Sequence, residues 1–166
     1  MPREIERKFL VDSSDLEKIR PLATSADRII QGYVSKGGGN TVRVRIRNGK
    51  SFMTIKGPSL DGGLSRYEWE FPIPMERARE LMELCGTSVI DKTRYLVPEI
   101  LPDGSTGKHV FEVDEYYGPN KGLVTAEVEL GDVLEEFNAP SWLGLEVTSD
   151  RRYSNASLSV KPFSEF

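Results

Sequence analysis

A mainly β fold, closed into an eight-stranded antiparallel barrel with a few covering helices, is what this sequence predicts. Short segments alternate apolar and charged residues, the period-two pattern of a strand whose two faces meet different surroundings. Glycine, proline, asparagine and aspartate punctuate the chain between them, and strands joined by short turns pair antiparallel. On several strands the charged face carries a single sign, and like charges aligned along a sheet repel unless a counter-ion lies among them.

The first strand spans 3–11, with Glu4, Glu6 and Lys8 on one face and Ile5, Arg7 and Phe9 on the other. Asp12, Ser13 and Ser14 offer caps for a short helix, DLEKIR, which stops before Pro21. Residues 26–35 read as a second strand, ended by Gly37-Gly38-Gly39-Asn40. TVRVRIR (41–47) alternates without a break, Asn48-Gly49 is a two-residue hairpin turn, and KSFMTIKG follows as the return strand. A loop over 58–63 leads to a strand at 64–73. Behind Pro74, a helix over 75–85 puts Met75, Ala78, Leu81, Met82 and Cys85 at helical spacing. Strands follow at 88–97, 108–117 and 123–130, separated by turns at Asp103-Gly104 and Gly118–Gly122. A short amphipathic helix is expected around 132–137, then an irregular tail with SWLGLEVT. Nothing reads as a linker, so 1–166 is expected to be one domain.

Composition narrows the function classes. With 38% hydrophobic and 29% charged residues, the chain has the balance of a soluble globular protein. A net charge of −4 gives no reason to expect nucleic acid or an anionic membrane as partner, so any anion site must work against the global field. Neither a signal-peptide pattern nor an apolar stretch of membrane-spanning length is present, and the single Cys85 suits a reducing compartment. A cytoplasmic location follows as the expectation. Cys85, inside LMELCG, reads as a buried structural thiol, and His109, the only histidine, as a partly exposed strand residue.

The charged rows recur on nearly every strand. Arg43, Arg45 and Arg47 share a face, as do Thr54 and Lys56; then Arg66, Glu68 and Glu70; Lys92 and Arg94; Glu112 and Asp114; Glu127 and Glu129. One reading is a solvated outer sheet face over a hydrophobic core. The other turns the ionic faces inward, into a wet lumen where water, metal and anion offset the desolvation of the charges. Paired carboxylates suit hard divalent cations, and guanidinium and ammonium groups suit phosphate oxygens, so a metal-bound polyphosphate would use both.

EIERKFLV resembles the ExExK signature of the CYTH superfamily, the triphosphate tunnel metalloenzymes. QGYVS, TVRVRI, TIKG, RYEWEF, DKTRYLV, FEVDEYYG, GLVTAEVEL and WLGLEVT extend the resemblance along nearly the whole chain, closest to the compact bacterial members. The resemblance implies a closed tunnel of eight antiparallel strands that binds triphosphate and a divalent metal, Mg²⁺ or Mn²⁺. By it, Glu4, Glu6, Glu127 and Glu129 would carry metal, and Lys8, Arg43, Arg45, Lys56, Lys92 and Arg94 would bind phosphate oxygens. Glu68, Glu70, Glu112 and Asp114 match acidic tunnel positions that either hold a second metal or orient a basic residue. Tyr33, on one face with Gln31 and Ser35, either orients a basic residue, gates a tunnel mouth, or is a structural aromatic.

The activity so implied is metal-dependent hydrolysis of inorganic tripolyphosphate to pyrophosphate and phosphate, with a homodimer left open. Family members also include class IV adenylyl cyclases and thiamine or RNA triphosphatases, so the fold alone does not choose the substrate. A cyclase would need a base pocket, and a thiamine triphosphatase an aromatic platform; Trp69 lies on the apolar face and Trp142 in the tail. A non-catalytic polyphosphate-binding module would have little use for so many carboxylates.

Overall fold

Strands that keep their charges on one face and their apolar residues on the other need a partner at every edge and a cover over every greasy wall. The computed structural model describes residues 1–166. Its strands are β1 (Arg3–Leu10), β2 (Ser25–Ser35), β3 (Thr41–Arg47), β4 (Lys50–Lys56), β5 (Ser65–Ile73), β6 (Val89–Ile100), β7 (Thr106–Tyr116) and β8 (Val124–Glu129). They close into one barrel in the order β1-β5-β4-β3-β2-β6-β7-β8, so no sheet edge is left open. Each neighbouring pair is antiparallel. The β3–β4 connection is the expected two-residue turn, with Asn48 at φ 53° and Gly49 at φ 70°. Both take the left-handed conformation that matches the twist of the flanking strands.

The closing seam is composite. One edge of β1 pairs with β8 over Glu6–Leu10, while its other edge pairs with β5 over Arg3–Ile5. Where β5 leaves that edge, the C-terminal tail replaces it: Leu10 N donates to Leu145 O at 2.8 Å, and Val147 N donates to Lys8 O at 2.8 Å.

Most of the apolar residues face outward under cover, although Phe71 on β5 stays 45% exposed. Phe9, Tyr95, Val97, Phe111, Val113, Ala126 and Val128 pack under Leu16 and Ile19 of α1 (Leu16–Ile19) and under Trp142 from the tail. Trp142 meets the Phe111 ring edge-on at 5.5 Å. Across the barrel, α2 (Met75–Leu84) packs against β2, β3 and β4. A Cβ on Gly32 would lie 2.6 Å from Cys85 Sγ and 2.7 Å from Met82 Sδ, so only glycine permits this approach. Cys85 is buried, as its apolar setting implied. The four-residue helix α3 (Asn155–Leu158), capped by Ser154, returns the tail to the cavity wall.

Two expectations fail. No helix forms at 132–137; a single turn is followed by extended chain. The side chain of Asp132 takes the Leu134 N–H at 2.9 Å, and that of Glu135 takes the Gly131 N–H at 3.1 Å, bonds that compete with helix propagation. His109 is buried at 6% exposure rather than partly exposed. Its Nδ1 faces Glu99 Oε1 at 3.0 Å and its Nε2 faces Glu135 Oε2 at 2.7 Å, so one imidazole ties β7 to β6 and to the segment after β8. No helix is long and apolar enough to cross a membrane.

Candidate active site

Because side chains alternate and the barrel closes, one residue in two points inward, and the register sets which inward residues meet. Across β1 and β5, Glu4 stands opposite Arg66; across β1 and β8, Glu6 stands opposite Glu129 and Lys8 opposite Glu127. Thr54 and Lys56 lie opposite Glu70 and Glu68, Arg43 and Arg45 opposite Tyr33 and Gln31, and Arg94 opposite Asp114. These rows enclose a cavity of about 320 Å³, within the roughly 300–1,000 Å³ typical of small-molecule sites. Its wall has only two hydrophobic members, Tyr33 and Ala156, among 20 residues; eight are cationic and seven acidic.

Most of the cations already have carboxylates. Lys56 Nζ sits 2.9 Å from Glu4 Oε1 and 3.7 Å from Glu68 Oε1. Lys8 Nζ is 3.5 Å from Glu127 Oε1 and donates to Tyr153 O at 3.0 Å. Lys92 Nζ donates to Asp114 Oδ2 at 2.7 Å and to Asn155 Oδ1 at 3.0 Å, and Arg94 reaches both Asp114 and Glu112 at 2.8 Å. Arg47 is held by Asp27 at 2.7 Å.

Three guanidinium groups differ. Arg43 is 3.6 Å from Glu70 and donates through Nη2 to Thr54 Oγ1 at 3.0 Å, but its buried Nε has no partner at all. Arg45 and Arg66 have no carboxylate at ion-pair distance: Arg45 is held by Gln31 Oε1 and Arg66 by Gly57 O. Burial, with Arg43 and Arg94 nearby, pulls the Arg45 guanidinium down to about 9. A lumen holding uncommitted positive charge and an orphaned donor is suited to an anion.

The acids are crowded in the complementary way. Glu6 faces Glu129 and Glu112 faces Glu127 directly across the strands, pairings that repel without a cation between them. Burial, then Glu127 and Glu4, push the Glu6 carboxyl well above its ordinary range. The Glu127 carboxyl, opposed by burial but flanked by Lys8 and hydrogen-bonded to Glu6, falls well below it. Glu68 is pushed up to about 7 by burial and by the hydrogen bond it shares with Glu4. In each crowded set one carboxyl is driven up by burial and its acidic neighbour, a crowding that a divalent cation would relieve. No three of these carboxylates are already gathered into a metal cage, because Lys56 and Lys8 hold Glu4 and Glu127. An all-oxygen donor set with a shared surplus of negative charge fits a hard cation such as Mg²⁺ or Mn²⁺.

Of the residues singled out in the sequence, Glu4, Glu6, Lys8, Tyr33, Arg43, Arg45, Lys56, Glu68, Glu70, Lys92, Arg94, Glu112, Glu127 and Glu129 line the cavity together, joined by Arg47 and Arg66 from the same rows, to which no role was assigned. Asp114 does not; it lies behind Lys92 and Arg94, fully buried. The lining also takes Thr41, Ser154, Asn155 and Ala156, which were not singled out. Thr41 lay in plain view, one row before Arg43, as the inward neutral end of the same alternation. The other three are the cap and first two residues of a four-residue helix, too short for periodicity to reveal.

The CYTH domain family matches residues 2–161. Among curated relatives, an inorganic triphosphatase from Acetivibrio thermocellus is 40% identical over 169 aligned residues, covering 100% of this chain and 99% of that one. Another from Nitrosomonas europaea is 34% identical, covering 95% and 97%. A crystal structure of an inorganic triphosphatase superposes with a TM-score of 0.63 at 32% identity, covering 96% of this chain and 95% of that one. A putative adenylyl cyclase from Hippeastrum, at 14% identity and TM-score 0.55, shares the fold. Family match, identity over the full length and a closed barrel with its charges turned inward agree: the chain belongs to the CYTH domain family.

Proposed function

We propose that the protein is an inorganic triphosphatase, hydrolysing tripolyphosphate to pyrophosphate and orthophosphate inside the barrel with Mg²⁺ or Mn²⁺ as cofactor. One observation carries the reading. The lumen sets uncommitted guanidinium donors, Arg45, Arg66 and the orphaned Nε of Arg43, against a surplus of carboxylate at Glu6, Glu127 and Glu129. Anion and cation each have a place, and neither satisfies the site alone. The names of the Acetivibrio and Nitrosomonas relatives support the same activity.

In this reading Arg43, Arg45 and Arg66 bind the phosphate oxygens, with Lys8, Lys56, Lys92 and Arg94 offering their remaining donors as the substrate enters. Glu4, Glu6, Glu127 and Glu129 would hold the metal, which when bound lowers the pKa of water and neutralises phosphoryl charge. Glu68, Glu70 and Glu112 orient Lys56, Arg43 and Arg94, and Asp114 orients Lys92 and Arg94 from behind. The water oxygen bonds to the terminal phosphorus, the bridging P–O bond breaks, pyrophosphate departs, and one proton passes to solvent. Arginine and lysine stabilise the charge that gathers on the leaving group. No covalent nucleophile is used; the buried Cys85 lies under α2, outside the lumen.

An aromatic platform for a thiamine or adenine ring is missing from the wall, whose one aromatic is Tyr33; this favours the inorganic substrate over thiamine triphosphate or ATP. We assign the protein to the cytoplasm on its chemistry, with no nucleic-acid or membrane partner. Phosphate release from tripolyphosphate, ATP and thiamine triphosphate, each with Mg²⁺, Mn²⁺ or Ca²⁺, tests the reading. Tripolyphosphate with Mg²⁺ or Mn²⁺ should be turned over fastest, and Lys8→Ala and Glu127→Ala should each lose about tenfold or more. Near wild-type release by either variant, or cyclic AMP among the products, would overturn it.

A further inference from the structure

Gln31, 0% exposed, is a neutral side chain that grips a lumen arginine through two of its nitrogens. Its Oε1 accepts from Arg45 Nε at 3.0 Å and from Nη2 at 2.8 Å, and its Nε2 donates to the Tyr33 hydroxyl at 3.0 Å. The bond to Tyr33 fixes the amide so that oxygen, not nitrogen, faces the guanidinium. Two donors on one acceptor hold the Arg45 plane, while Nη1 is left with no protein partner along the cavity wall. For two other lumen arginines the same job falls to carboxylates: Asp27 grips Arg47 through the same two nitrogens, and Asp114 does so for Arg94, whereas the backbone Gly57 O holds Arg66.

The difference is charge. A carboxylate would hold Arg45 as firmly and cancel it; an amide holds it and leaves the positive charge whole. We infer that Gln31, with Tyr33 behind it, is a positioning residue that presents Arg45 to the substrate as a fixed but uncompensated cation. This rests on the triphosphatase reading and deepens it. The low setting of Arg45, about 9, is the mark of a guanidinium buried among Arg43 and Arg94 with no counter-charge of its own.

Gln31→Glu separates a holding role from a charge role, because it adds a charge at almost constant volume and keeps an acceptor for Arg45. KM for tripolyphosphate with Mg²⁺ should rise about tenfold or more. Its dependence on ionic strength should flatten, and the melting temperature should stay at or above the wild-type value. In metal-free buffer the rise in melting temperature produced by tripolyphosphate should shrink in step. Tyr33→Phe, which frees the amide to turn, should give a smaller rise in KM with the fold intact. An unchanged KM in folded Gln31→Glu would overturn the inference. If that variant melts early, Gln31→Met decides: matched in length but without an acceptor, it should raise KM, and an unchanged KM again overturns the inference. Wild-type protein that neither binds nor cleaves tripolyphosphate would instead sink the activity itself, whereas an active wild type beside an unaffected Gln31→Glu removes this role alone.

Discussion

The ammonium of Lys92 and the carboxylate of Asp114 meet at 2.7 Å with neither side chain open to solvent. Asp114 also accepts two bonds from Arg94 at 2.8 Å, so one carboxylate serves two buried cations. Those cations hold it down at about 2, against a burial penalty that alone would raise it. Removing it strands Lys92 and leaves Arg94 with Glu112 alone, and breaking a buried pair by deleting one partner costs about 3–5 kcal/mol. Asp114→Ala should therefore lose stability on that scale in urea unfolding. Lys92→Met added to it should restore part of the loss, because the stranded ammonium is then gone.

Glu6 presents the opposite balance. It is pressed by burial and by Glu127 and Glu4, and stands opposite Glu129. Glu6→Gln should raise the melting temperature in metal-free buffer while phosphate release falls, a trade of function for stability. The stabilisation that Mg²⁺ or Mn²⁺ gives the wild-type protein should shrink in the variant. Thermal melts with and without metal, beside a phosphate assay, read all three effects.

His109 predicts a pH window. Burial opposes its protonation, but the bonds to Glu135 and Glu99 prevail, and its pKa is raised above 6.5. That stabilisation is complete below the unfolded value and disappears as pH climbs through the folded one. Burial opposes ionisation of Glu99 too, yet the Asn138 N–H and His109 hold it below 4.5. Glu135, bonded first to His109, is lowered to about 2. Their share is present above 4.5 and disappears as pH falls through their folded values. The difference in melting temperature between wild type and His109→Gln should therefore be widest between 4.5 and 6.5 and narrow on both sides. Melts from acid to alkaline pH check it; a flat difference would refute the clamp.

Gly32→Ala should cost about 1–3 kcal/mol, the range for forcing a methyl into a filled space. The new Cβ meets Cys85 Sγ at 2.6 Å and Cys85 Cβ at 2.8 Å, so α2 must lift from β2. Denaturant midpoints of the two proteins measure the effect. Gly37→Ala, where nothing lies within 4 Å, is the control and should change little.

Much of this was legible in the sequence, for a physical reason. The pleat sends alternate residues to opposite faces, so rows such as Glu4-Glu6-Lys8 and Arg43-Arg45-Arg47 announce a shared surface wherever the strand ends up. The turn at Asn48-Gly49 was equally plain, because few residues tolerate its backbone. Less visible was everything that depends on register or on distant chain. Gln31 sat in a row with Tyr33 and looked inert; only pairing of β2 with β3 brings it opposite Arg45. His109 alternated as an ordinary strand residue, and its clamp needs Glu99 from β6 and Glu135 from beyond β8. The helix expected at 132–137 met local side-chain bonds at Asp132 and Glu135 that periodicity does not register.

The composite seam along β1 has a bearing on synthesis. Every backbone partner of β1 lies far downstream, first in β5 and then in β8 and the 144–148 stretch. A nascent chain leaving the ribosome therefore carries its opening strand unpaired until the last of those segments emerges. Glu4 and Glu6 cannot meet Glu127 and Glu129 before then, so a stalled or shortened translation product has no working centre, and its bare, half-greasy leading strand is left for chaperones to shield.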